Sequence, residues 1–167
     1  MKLPLRLWPA LIGLSGFLNV AADVPFTTTT IEAGEFAPNT CWYTMAIGSS
    51  NLIISDNGSA DYIALDRVRT ELDDADLWCF VGDESNGFTI YNKQAGTGNV
   101  LSSPATMSGQ NGGTAYVRLK NTADITSADR TSWSFSASTD LGKDVEAYYM
   151  NQTGTPANKV NNRNNRL

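Results

Sequence analysis

Glu71, Asp73, Asp74 and Asp76 crowd into the six residues "ELDDAD". Carboxylates at that density are the raw material of a Ca²⁺ loop or of an acid/base pair. A Ca²⁺ loop of the EF-hand kind also needs fixed ligand spacing and a central glycine, and both are missing. The run therefore reads as a solvated loop. Glycoside hydrolysis needs two placed carboxylates, but 17 acidic residues guarantee some pair at a workable distance, and nothing marks one pair out. The chain has no histidine, which removes the commonest general base, the Ser-His triad and most zinc sites. "GTGNV", from Gly96 to Val100, follows a strand-like run with no helix after it, so it reads as a turn and not a phosphate loop. No catalytic residue, metal site or cofactor is expected. What remains is recognition chemistry. The turn regions are rich in Asn, Gln, Asp and Tyr, the planar amides, carboxylates and aromatic faces that bind sugars. The same residues also simply make turns.

The elements that must hold these groups begin after residue 22. "MKLPLRLW" carries Lys2 and Arg6, the run "LWPALIGLSGFLNV" is apolar, and Val20 and Ala22 supply the small residues of a cleavage site. Residues 1–22 read as a secretory signal peptide, with a secreted, periplasmic or cell-surface destination. No later stretch is long and apolar enough to span a bilayer. The mature chain of about 145 residues has the length of one domain. The net charge of −5 becomes more negative once the two leader cations are gone, which argues against a nucleic-acid partner. Two cysteines, Cys41 and Cys79, in an exported chain allow either one disulfide or two buried thiols. A bridge would close a loop of about 38 residues and stabilise by roughly 3–4 kcal/mol in the chain-entropy picture.

Residues 23–40, "DVPFTTTTIEAGEFAPNT", show little periodicity and read as a linker or a loosely attached N-terminal strand. From Cys41 onward, short apolar or aromatic runs alternate with Gly, Asn, Asp and Ser clusters: "WYTMAIG", "NLIIS", "LWCFVG", "FTIYN", "NVLSS", "AYVRLK", "SWSFSAS", "EAYYMN". No window sustains a helical period. The fold class is all-β, a barrel or a sandwich. Three segments repeat: "YTMAIGSSNLIIS" from Tyr43, "FTIYNKQAGTGNVLSS" from Phe88 and "AYYMNQTGTPANKVNN" from Ala147. The first two units close on Trp-x-Phe, at Trp78 and Phe80, then at Trp133 and Phe135. Period-two alternation aims both rings of each pair at one face, so these four residues are expected in the core. There is no third Trp-x-Phe.

A threefold repeat closing on a Q-x-W-like tripeptide resembles the ricin-type β-trefoil lectin family. "LWCFVGDESNGFTIYNKQAGTGNVLSS" and "NKVNNRNNRL" are similar to trefoil modules attached to secreted bacterial glycoside hydrolases, sialidases among them. The likeness covers about Cys41 to Leu167 and is most specific in the second repeat. It implies a β-trefoil over 41–167, with repeats at about 41–83 and 87–138 and a partial third at about 145–167. The chain is then expected to be a fragment whose third repeat stops at Leu167, with any hydrolase domain downstream. The Gln of Q-x-W is Asp76 in the first unit and Thr131 in the second. The family's sugar pocket pairs an Asp with an aromatic platform and an Asn or Gln, and the first unit offers Asp56, Asn57, Asp61 and Tyr62. In a trefoil, Cys41 and Cys79 would lie on neighbouring barrel strands. The function implied is a non-catalytic carbohydrate-binding module that targets an attached hydrolase to glycan. The alternative is a trefoil that binds or inhibits another protein through its loops.

Overall fold

The Asp83–Gly87 turn shows how local chemistry sets the sheet. One Asp83 carboxylate oxygen accepts from the Ser85 and Asn86 amides at 2.8 and 2.9 Å, and Gly87 adopts φ +85°. This side-chain turn reverses the chain between two six-residue strands. The computed structural model describes residues 24–46, 52–58, 63–67, 71–105, 117–138 and 147–153. Among these, every regular element is a β-strand or a single 3-10 turn. The chain is all-β.

The strands are β1 (Ile31–Glu32), β2 (Glu35–Phe36), β3 (Leu52–Ser55), β4 (Ala64–Arg67), β5 (Trp78–Asp83), β6 (Gly87–Asn92), β7 (Asn99–Pro104), β8 (Arg118–Asn121), β9 (Asp129–Arg130), β10 (Trp133–Ser138) and β11 (Ala147–Gln152). β1 and β2 form a tight hairpin across Ala33 and Gly34, both at positive φ, the backbone that a two-residue hairpin turn requires. β3 pairs with β4, and β7 with β8 and β9. The main sheet runs β11-β10-β6-β5. Tyr43 extends it, exchanging two 2.9 Å backbone hydrogen bonds with Trp78. The spatial order is thus the Tyr43 segment, β5, β6, β10, β11, all antiparallel.

The two Trp-x-Phe strands hold matching places. Trp78 pairs with Tyr43 on one side and Asn92 on the other. Trp133 pairs with Phe88 and Gln152. Both indoles are fully buried. Each donates Nε1–H to a carbonyl of its own unit's hairpin, Trp78 to Ile54 at 2.8 Å and Trp133 to Leu101 at 3.0 Å. Buried amides complete each seam. Asn92 Nδ2 donates to the Ala75 and Leu77 carbonyls, and Gln152 Nε2 to Ser103 Oγ and the Pro104 carbonyl. The core gathers Ile54, Ile63, Trp78, Phe80, Phe88, Ile90, Leu101, Val117 and Trp133. A 2.8 Å bond from Ile63 N to the Val117 carbonyl ties the two units together beneath it. Phe80 is buried as expected, whereas Phe135 is only partly buried against this cluster.

The stretch 23–40 contributes, from Val24 onward, an arm packed on the sheet. Thr29 lies parallel to Val81 and donates its amide to the Phe80 carbonyl at 2.8 Å. Val24 and Phe26 pack on the core. The arm lacked a periodic signal because Val24 and Phe26 are the arm residues packed on the core cluster, too short a run to show an alternation.

Cys41 and Cys79 are both free thiols, Cys41 exposed and Cys79 buried. The disulfide left open by their even count is not formed. Register explains this: counting back from the Tyr43–Trp78 pair sets Cys41 across from Phe80, one residue out of step with Cys79. A one-residue offset aims two strand side chains at opposite faces. Thr29 also takes the Phe80 carbonyl, so the chain carrying Cys41 has left the β5 edge by that point. The expected signal peptide (residues 1–22) and most of the expected third repeat, beyond residue 153, lie outside the described residues.

Candidate functional site

"ELDDAD" is no open loop. Asp73 caps a 3-10 turn, Asp74–Asp76, in a reciprocal capping box. Its Oδ1 accepts from Ala75 N at 3.0 Å, while Asp76 Oδ2 accepts from Asp73 N at 3.1 Å. Asp76 is fully buried, so the reading of the whole run as solvated fails at its last residue. The physical reason is the cap: a carboxylate that reaches back to a backbone N–H stabilises the turn it ends. Asp74 faces outward and pairs with Lys93 Nζ at 2.8 Å. No group of three or more His, Cys, Asp or Glu among the described residues is arranged to hold a metal ion.

This turn positions a polar strip. The Asp56 amide, just past β3, donates to the Ala75 carbonyl at 2.9 Å. Asp56 Oδ1 accepts from Gly58 N at 2.9 Å, and its Oδ2 lies 3.4 Å from Gln94 Nε2. Gln94 comes from the second unit, in the turn "NKQAG" after β6. Asn92 holds that turn, its Oδ1 accepting from the Gln94 and Ala95 amides at 3.0 and 3.2 Å. Gln94 N also donates to the Asp74 carbonyl at 3.1 Å. Lys93, neighbouring Gln94, sits 5.7 Å above the Trp42 ring. Phe36 backs that indole edge-on at 5.1 Å and reaches Tyr91 at 5.8 Å. Burial raises the Tyr91 phenol above its ordinary range, and Cys79 adds to the rise.

The strip thus runs from Asp56 through Gln94, Asp74 and Lys93 to Trp42. It presents carboxylates, a primary amide, an ammonium and an aromatic ring, which can hydrogen-bond hydroxyl groups and cover an apolar ring face. Of the residues expected from sequence, Asp56 stands in this strip. Asn57 follows it and is exposed. Asp61 and Tyr62 lie outside the described residues. Sequence reading missed Gln94, Lys93 and Trp42, and set Asp74 aside as part of a solvated loop. The accessible signal was "NKQAG" itself, a polar turn after an alternating strand, whose partner across the unit boundary no local pattern reveals.

Two other carboxylates are tied up elsewhere. Hydrogen bonds from Asn86 hold Asp83 below its ordinary range. Asp129, packed among β7–β9, is pushed up by burial, but bonds from Lys120 and Thr126 outweigh that and set it at about 2. Among the described residues no helix is long and apolar enough to cross a membrane. No family model, no curated protein and no solved structure matches the chain.

Proposed function

We propose that the chain is a non-catalytic carbohydrate-binding module of β-trefoil type, exported to serve a glycan-degrading protein. Support for the trefoil comes from pairing order. In that fold the closing strand of each unit lies between the first strand of its own unit and the first strand of the next. β5 lies between the Tyr43 segment and β6, and β10 between β6 and β11. The matched indole bonds to Ile54 and Leu101 add a second repeated feature. Asp76, standing where the resembled family has the Gln of Q-x-W, bonds to backbone as a lock at that place would.

The observation that carries the function is the meeting of Asp56 and Gln94 across two units beside Lys93, Asp74 and Trp42. A carboxylate and an amide side by side can each hydrogen-bond a sugar hydroxyl, and an indole farther along the strip supplies a stacking surface. Their partly exposed placement suits a ligand that is itself hydrated.

A glycan array probed with the purified chain tests this. Binding to a defined glycan class is expected. Asp56→Ala and Gln94→Ala should each weaken it by about tenfold or more, the loss of one to two good hydrogen bonds, with the melting temperature unchanged. Absence of any glycan bound by the wild type, or binding indifferent to both substitutions, would overturn the proposal.

A further inference from the structure

Two of the four aromatic rings at one end of the main sheet come from the Trp-x-Phe elements. Phe80 sits opposite Ile90, and Phe135 opposite Met150, with their ring centroids 5.7 Å apart and edge-on. Phe88 meets Phe135 at 5.9 Å, and Tyr43 meets Phe80 at 5.9 Å. A fifth ring enters this group from outside the repeats. Phe26 stacks on Phe80 at 3.8 Å and 13°, and stands edge-on to Phe88 and Phe135, each at 5.0 Å.

The backbone around Phe26 is held lightly. Residues 24–30 make one isolated bridge to the sheet, Thr29 to Val81. Thr27 N donates to the Tyr43 hydroxyl at 2.8 Å, and the Thr29 and Thr40 hydroxyls pair at 2.7 Å. Among the described residues no strand ladder fixes the segment, and its apolar contacts with the core are those of Val24 and Phe26.

We propose that Tyr43, Phe80, Phe88 and Phe135 form a binding socket for one aromatic side chain, and that the N-terminal arm is its built-in ligand. Phe26 supplies the third phenyl of a set that the two Trp-x-Phe elements begin. The socket is a recognition site separate from the Asp56–Gln94 strip. Its ligand class is a phenyl group on an extended backbone that can donate one N–H to the Phe80 carbonyl.

The test uses the full chain carrying Phe26→Ala and a synthetic peptide of residues 24–32, VPFTTTTIE. The variant should melt lower than wild type by about 5–10 °C. It should bind the peptide saturably in calorimetric titration and recover part of that loss. Wild type, with its socket filled, should show no binding, and neither should the same peptide with Ala in place of Phe26. Should Phe26→Ala fail to fold, Phe26→Leu keeps most of the bulk, loses the stacked ring and carries the same titration. The proposal is overturned if the substituted chain melts as wild type does. It is equally overturned if peptides with and without the ring behave alike.

Discussion

Replacing each buried tryptophan by phenylalanine removes the same two things at two places. Trp78→Phe takes away the Nε1–H that bonds the Ile54 carbonyl at 2.8 Å, and Trp133→Phe the one that bonds Leu101 at 3.0 Å. Either carbonyl then loses a buried donor, a cost of roughly 1–3 kcal/mol. Both indoles are 0% exposed, so the smaller ring also forfeits on the order of 1 kcal/mol of apolar burial. Each substitution should destabilise by about 2–4 kcal/mol, a fall in melting temperature of roughly 5–15 °C for a chain of this length. Urea unfolding at constant m-value is the assay. The matched places of the two residues require the two losses to agree within about 1 kcal/mol, the scatter of such measurements from site to site. A fully stable Trp78→Phe, or a difference several times that scatter, would refute the equivalence of the two units.

Thiol chemistry should separate the cysteines. Burial pushes Cys79 up to about 12, so a thiol reagent at neutral pH should label Cys41 at once and Cys79 only on unfolding. Rapid labelling of both in the native protein would contradict its burial. Asp129 is held down at about 2 against an ordinary 3.8. Its contribution to stability is therefore fully present above 3.8 and lost as pH falls through 2, and Asp129→Asn should flatten the urea midpoint across that window. An unchanged pH profile would remove its pairing with Lys120 as the cause. Gly82→Ala should destabilise by about 2 kcal/mol or more, because φ is +122° and the added Cβ strikes the Gly87 carbonyl oxygen. A variant as stable as wild type would mean that the β5–β6 hairpin yields there.

What the sequence disclosed followed from alternation. "FTIYN" reads as a strand, and it forms β6 with Phe88, Ile90 and Asn92 buried in alternation. The Trp-x-Phe pattern announced the core indoles, since a period of two leaves both rings on one side. Asp76 was not legible, because burial of a carboxylate depends on a single backbone N–H three residues back. The arm was not legible either, since Val24 packs on the core and Phe26 on rings contributed by β5, β6 and β10, all far along the chain. Asp56 could be singled out for its type, yet its meeting with Gln94, 38 residues away, depends on Asn92 fixing a turn in another unit. The cysteine count could not decide a bridge that a one-residue register forbids.

The most direct measurement is a ¹H–¹⁵N titration of the full chain with the strongest glycan found on the array. Shifts are predicted to gather on the Asp56, Lys93 and Gln94 amides, the Gln94 side-chain NH₂ and the Trp42 indole, and to vanish in Gln94→Ala. Shifts centred elsewhere, around Lys120 and Asp129 for example, or none at saturating glycan, would contradict the assignment of this strip as the binding site.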